Sequence, residues 1–228
     1  MAYNLDQASL ESLRWIVQAE DPCIYLEIGS ELGQSLVPAL LDPKCIAVHS
    51  VDLRSPIGQP DERGRTWAYS STTQQMRDEL AQQVTQEDMF KLTTYDMDTT
   101  AFAEAFTVPA NLVFLDAEHT NAAAFQDFMN LIHMLPTDHI FAGHDSNLVF
   151  DAVINIAAML KCSKVPFHLA YLPDVVFAFA FGKYIEPVKA LPHWDPKEYV
   201  RYARQTLNDE IIANVHLRPR IPNTGVLI

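Results

Sequence analysis

The sequence predicts a doubly wound α/β fold: a mainly parallel, seven-stranded sheet with helices on both faces and a terminal antiparallel hairpin. Two observations predict it. Five short apolar runs alternate with segments of helical periodicity, which is typical of consecutive βα units and a parallel sheet. Two further apolar runs, residues 167–172 and 175–181, are separated only by Pro173 and Asp174, which favours a hairpin.

The elements follow one another in regular order. Leu10, Leu13 and Ile16 recur at helical spacing after Asp6, a plausible N-cap, and so predict a first helix ahead of the sheet. The parallel strands are expected at residues 23–28, 46–53, 90–95, 111–115 and 139–142. The helices are expected at residues 6–18, 34–41, 73–84, 101–106, 122–134 and 148–160.

The chain divides into a domain and a tail. Residues 1–183 contain the predicted sheet and its helices. Residues 184–228 carry five prolines and one helical stretch near residues 198–213. We expect this tail to be ordered, to bury Trp194, and to pack on the domain or on a partner subunit in a homodimer.

The net charge limits the choice of partner. The chain has 16 basic and 29 acidic side chains, a formal charge of −13, and so should repel a polyanion. We therefore expect a small-molecule substrate and no nucleic acid. No apolar run is long enough to span a bilayer and no signal peptide is evident, so we expect a cytoplasmic protein without a membrane partner. The three cysteines are widely spaced and are expected to be buried free thiols.

A carboxylate closes each of the five parallel strands. These residues are Glu27, Asp52, Asp96, Asp116 and Asp145. Ligands of such sheets bind outside the carboxyl ends of the strands. Each aspartate alone could be a helix N-cap, but five carboxylates on one edge indicate a site.

The turn after the first strand argues against a dinucleotide. In the GxGxxG fingerprint the second glycine lets the backbone approach a pyrophosphate, whereas here that position is Glu31. This disfavours an NAD-dependent oxidoreductase, and the absence of GK[ST] excludes a P-loop. A ligand with an adenosine part, no phosphate and a positive centre fits better. Asp52, 23 positions after Gly29, lies where an acidic residue takes ribose hydroxyls.

Several segments resemble class I S-adenosylmethionine (SAM) methyltransferases. Residues 26–35, LEIGSELGQS, resemble the ExGxxxGxS motif, and Val51-Asp52-Leu53 is similar to the acidic second motif. Residues 114–120, FLDAEHT, with Asp127 resemble the DGDHSY…D segment of a subgroup that is similar to methyltransferase family 24 and methylates small-molecule hydroxyls, including sugars. Ala117 and Glu118 depart from its Gly and Asp. The resemblance covers roughly residues 23–182 and implies a Rossmann-like fold.

The resemblance also implies a site and an activity. Cofactor binding would fall to the residues of the first two motifs and of the third strand end: Glu27, Gly29, Ser30, Gly33, Ser35, Asp52, Asp96 and Met97. His119 would be a general base beside Asp116, and Asp116 with Asp145 would hold Mg²⁺. The implied function is SAM-dependent O-methylation of a small hydroxyl-bearing molecule. Two alternatives stay open: a SAM-fold protein that serves binding or assembly without transferase activity, and a His119 that only orders its loop.

Overall fold

The parallel strands lie where the apolar runs predict them. The computed structural model describes residues 6–54, 72–173 and 175–215. The strands are β1 (Cys23–Ile28), β2 (Cys45–Val51), β3 (Leu92–Tyr95), β4 (Leu112–Leu115), β5 (Ile140–Gly143), β6 (Phe167–Leu172) and β7 (Val176–Phe181). Within these residues they form one sheet in the order β3-β2-β1-β4-β5-β7-β6. β1 to β5 are parallel, and β7 is antiparallel to both β5 and β6.

The helices flank the sheet on both faces. They are α1 (Asp6–Glu20), α2 (Val37–Leu41, preceded by the 3₁₀ turn Gln34–Leu36), α3 (Thr73–Leu80), α4 (Gln86–Met89), α5 (Thr99–Ala105), α6 (Asn121–Leu131), α7 (Phe150–Cys162), α8 (Ile185–Lys189) and α9 (Pro196–Val215). Side chains alternate across a strand, so Tyr25 joins the apolar core on one face and Leu26 the core on the other. The predicted fold class is confirmed.

Several local predictions need correction. The helix expected to reach residue 84 ends at Leu80, because a second capping box at Thr85 and Asp88 starts the separate helix α4. Helix α8 was not predicted. Cys23 and Cys45 are buried free thiols, but Cys162 is exposed, since it ends α7 on the solvent side.

The carboxyl ends of the parallel strands share one edge of the sheet. Four residues of the tail region are buried against the sheet layers: Tyr184, Val188, Tyr199 and Ala203. Trp194 is 38% exposed in the single chain, so its burial against a partner subunit stays a prediction. The turn residue Asp174 and the segment 55–71, expected to help form the acceptor pocket, lie outside the described residues. No described helix combines the length and the apolar character that crossing a membrane requires.

Candidate functional site

The turn after β1 is built around two glycines with positive φ. Gly29 has φ +83°, and a Cβ there would lie 2.4 Å from the carbonyl oxygen of Asp116 and 2.5 Å from the Cα of Ala117. Gly33 has φ +79° and donates its N–H to the carbonyl of Ser30 at 2.6 Å. An L side chain at Gly29 would meet backbone as well as an unfavourable φ. The turn therefore packs directly on the loop that follows β4.

Glu27 is a fully buried carboxyl group beneath this turn. The hydroxyls of Tyr25 and Ser35 each donate to one of its two oxygens. Burial raises the pKa of Glu27 to about 8, although both hydroxyl bonds act in the opposite direction. Within the part of the chain that the structure describes, no basic side chain forms an ion pair with Glu27. A buried carboxyl group without a cationic partner fits a positively charged ligand.

Asp52 faces the same turn from the end of β2. Its Oδ2 accepts the N–H of Glu31 at 2.8 Å, and its Oδ1 accepts the N–H of Arg54 at 2.9 Å. The Arg54 guanidinium lies 3.5 Å from Oδ2 and also donates to the carbonyl of Glu31. These contacts fix the orientation of Asp52, and its side chain remains 16% exposed.

Arg54 is the part of this arrangement that sequence reasoning missed. Its side chain is only 5% exposed, and it donates to the hydroxyl of Ser50 at 2.9 Å and to that of Ser30 at 3.3 Å. This buried arginine, two positions after the aspartate that follows β2, ties Asp52 to the glycine turn. The pattern Asp-x-Arg was visible in the sequence, but nothing there showed that the side chain folds back.

The remaining predicted cofactor residues continue along the edge. Asp96 follows β3, accepts a bond from the hydroxyl of Thr73 and is half-exposed. Met97 is partly buried against the core beside it. Both lie past the end of β3, the strand paired with β2, so they extend the edge on the Asp52 side.

A second cluster follows β4 and β5. The Nε2 of His119 lies 3.3 Å from Asp116 Oδ1 and 3.0 Å from Asp145 Oδ2. The Nδ1 of His144 lies 3.8 Å from Asp116 Oδ1 and 3.6 Å from Asp145 Oδ1. The structure therefore brings together Asp116, His119 and Asp145, as the sequence predicted, and adds His144, whose role the sequence did not decide.

The donor set of this cluster fits a divalent cation. Asp116, His144 and Asp145 each offer one ligand atom within 4.8 Å of the others. Two carboxylates suffice for Mg²⁺, and an imidazole nitrogen also suits Mn²⁺ or Zn²⁺. His119 contacts the same two carboxylates, so a cation there would compete with its Nε2 for their oxygens.

Comparison with known proteins shows that solved structures of similar fold exist, although no similar sequence was found. No protein-family model matches the sequence, and no curated protein does. Solved structures do match. The O-methyltransferase NovP is 11% identical, with 77% of this chain and 80% of that chain covered and a TM-score of 0.59.

Two further matches were solved with cofactor or product. The O-methyltransferase TomG from Streptomyces achromogenes, in complex with SAM, is 15% identical over 79% of this chain and 81% of that chain, with a TM-score of 0.54. SMU.1697c from Streptococcus mutans, a putative methyltransferase in complex with SAH, is 12% identical over 80% of this chain and 100% of that chain, with a TM-score of 0.52. The seven-stranded α/β fold of this chain is therefore similar to the folds of these solved proteins.

Proposed function

We propose that this chain is a SAM-dependent methyltransferase that methylates a hydroxyl group of a small molecule. The observation that carries the proposal is the contact between the two halves of the edge. Gly29 of the first turn lies against the backbone of Asp116 and Ala117, so a cofactor held at the turn would end beside the His119 cluster. Similarity in fold to TomG and NovP supports this assignment.

The residues of the first half would bind the cofactor. When bound, SAM supplies a methyl group already activated by its sulfonium. Glu27 would face the ammonium of the methionine end, and Asp52 would accept bonds from the ribose hydroxyls. Asp96 and Met97 would flank the adenine. Ser30, Gly33 and Ser35 would shape the turn, since Ser35 already holds one oxygen of Glu27.

The residues of the second half would prepare the acceptor. With Nε2 of His119 directed at two carboxylates, the imidazole would take the acceptor proton at Nδ1, and Asp116 and Asp145 would stabilise the resulting charge. Alternatively, Asp116 and Asp145 would hold a divalent cation, Mg²⁺ in the sequence-based expectation, which would lower the pKa of a coordinated hydroxyl. A chelator distinguishes the two routes.

The acceptor class and the setting are part of the proposal. The formal charge of −13 disfavours a polyanionic acceptor, so we propose a small hydroxyl-bearing molecule of sugar or natural-product type. The buried free thiols Cys23 and Cys45 are consistent with a cytoplasmic location. The half-exposed Trp194 is consistent with a homodimer in which the tail contacts a partner subunit.

Calorimetry with SAM tests the cofactor half. We expect the full chain to bind SAM, and Asp52→Ala to weaken binding by about 1–3 kcal/mol, because buried ribose hydroxyls lose a charged acceptor. Asp78→Ala, which removes an exposed carboxylate on α3, should bind like the wild type. Formation of SAH from SAM with a panel of hydroxyl compounds then tests transfer. No detectable SAM binding at millimolar concentration would end the proposal.

A further inference from the structure

Helix α9 reaches the loop that carries Asp145. Its Tyr199 is fully buried, and the ring stacks on Tyr171 of β6 with centroids 4.1 Å apart and planes 11° apart. The tail is held beside β6 by a backbone bond from Trp194 N–H to the carbonyl of Tyr171 at 2.8 Å. The tail region is thus anchored close to the acceptor half of the site.

The hydroxyl of Tyr199 bonds the hydroxyl of Ser146, the residue after Asp145. The direction of this bond follows from proton counting. Ser146 has one hydroxyl proton, and its Oγ lies 2.6 Å from the carbonyl of Val175, which can only accept. Ser146 therefore donates to Val175, and Tyr199 must be the donor to Ser146. Because burial raises the pKa of Tyr199 to about 12, this donor persists through neutral pH.

Two residues bonded to Ser146, covalently or by hydrogen bonds, have backbone conformations that L residues rarely adopt: Asp145 precedes Ser146 in the chain, and the carbonyl of Val175 accepts from its hydroxyl. Asp145 has φ +50° and Val175 has φ +53°. Such conformations are strained and persist only when their surroundings hold them. The N–H of Ser146 also bonds the Val175 carbonyl at 2.8 Å, so Ser146 ties the two strained residues together.

We infer that Tyr199 is a positioning residue for the acceptor half of the site. Through Ser146 it holds the loop in the conformation that places the Asp145 carboxylate 3.0 Å from His119. The catalytic consequence of this inference rests on the proposed function. Helix α9 would then help to position a residue of the acceptor half of the site.

A matched pair of variants tests the inference. Tyr199→Phe keeps the stacked ring and removes only the donor to Ser146. Tyr171→Phe removes a hydroxyl from the same ring stack, and among the described residues that hydroxyl has no hydrogen-bond partner. We expect Tyr199→Phe to lower kcat about 10- to 100-fold, the effect of small misplacement near reacting groups. The dissociation constant for SAM should not change, and Tyr171→Phe should retain wild-type kcat.

Several results would overturn the inference. Equal kcat values for the wild type, Tyr199→Phe and Tyr171→Phe would do so, because the hydrogen bond to Ser146 would then have no effect on turnover. Equal losses of kcat in both variants would also do so, because such losses would reflect ring packing alone. If Tyr199→Phe does not fold, Ser146→Ala takes its place: a similar fall in kcat at unchanged SAM affinity supports the inference, and an unchanged kcat overturns it.

Amide hydrogen exchange separates this inference from the proposed function. The amides of Ser146, Leu148 and Val149 report on the loop, since they bond the carbonyls of Val175 and Asp145. Faster exchange at these amides in Tyr199→Phe than in Tyr171→Phe supports the positioning role of Tyr199, even if the wild type transfers no methyl group. Absence of methyl transfer by the wild type would overturn only the proposed function. Equal exchange in both variants overturns the positioning role of Tyr199.

Discussion

At the scale of single residues, Glu27 shows how burial sets a condition on binding. Its pKa is raised to about 8, mainly by burial, so the group is protonated at neutral pH without ligand. A cationic ligand prefers the ionised form. Binding of SAM below pH 8 should therefore release a proton from this group.

The predicted pH dependence has a definite sign. Because the pKa of Glu27 lies near 8, SAM affinity should rise by up to about tenfold per pH unit between pH 6 and 8, and then level off. Calorimetry at pH 7 in buffers of different ionisation enthalpy should detect the released proton. Glu27→Gln should bind more weakly and with no dependence on the buffer. Wild-type binding that is independent of pH over this interval would contradict the assignment of Glu27 to the ligand.

Asp116 and Asp145 should act as a unit in the proposed reaction. Both contact the Nε2 of His119, at 3.3 and 3.0 Å. Asp116→Asn and Asp145→Asn should each remove most turnover, and the double variant should be little worse than either, since such groups are strongly non-additive. The exposed Asp151→Asn on α7 serves as the control.

Turnover with and without a chelator decides the role of the two carboxylates. Loss of activity in chelator, restored by a divalent cation, supports the metal site. Full activity in chelator leaves His119 as the base and the aspartates as its partners. Full activity of Asp116→Asn would remove the cluster from the mechanism.

At the scale of elements, the contact between α5 and α6 contains a titrating group. Thr99 donates to Asp127 Oδ1, and Asn130 donates to Thr99 at 2.9 Å. Burial raises the pKa of Asp127 to about 6, and the bond from Thr99 opposes this rise. Asp127, which the resemblance grouped with the acceptor segment, thus joins two helices in this structure.

Asp127 should make stability depend on pH in the weakly acidic range. A folded-state pKa above the ordinary 3.8 means that the folded protein binds more protons than the unfolded chain between about pH 4 and 6. This contribution is present at low pH and is lost as pH rises through 6. Between pH 5 and 7.5 it should remove about 1 kcal/mol of the free energy of unfolding. Urea unfolding of the wild type and of Asp127→Asn measures it: their stability difference should change by that amount, and a constant difference would contradict the prediction.

The order of the elements could be predicted, and their exact ends could not. Apolar runs located β1 to β5, because strands buried on both faces of a parallel sheet are almost continuously apolar. The Pro173-Asp174 turn between two further apolar runs located the hairpin of β6 and β7. Helix α4 was missed, since its four residues carry no apolar periodicity and only a capping box marks them. In the site, the carboxylates at the strand ends were predictable, because ligands of such sheets bind outside the carboxyl ends of the strands. The roles of Tyr199 and Arg54 were not predictable, because they depend on side-chain contacts that no sequence pattern indicates. Tyr199 bonds Ser146, which is 53 positions away in the sequence, and Arg54 turns inward to bond the buried Ser50.

At the scale of the whole molecule, the tail region completes the core. Tyr184 is fully buried and donates to Asp21 at 2.6 Å, across 163 positions of sequence, and Val188 lies in the same core. Truncation after Gly182 should therefore lower the melting temperature and expose apolar surface that promotes association. Thermal unfolding and light scattering measure both effects. A truncated protein with unchanged melting temperature and oligomeric state would show that the tail is dispensable, and would contradict the proposed contact to a partner subunit.

The packing of Gly29 bears on how related sequences should be interpreted. Any side chain at this position would collide with the backbone after β4 whether or not a cofactor is ever bound. A descendant that lost the activity would still need this glycine in order to fold. Retention of the glycine would therefore show that the fold is kept, and would not show that the activity is kept. Glu27 and Asp52 would be released from that constraint sooner. Their replacement beside an unchanged glycine would mark a lineage that kept the scaffold and gave up the ligand.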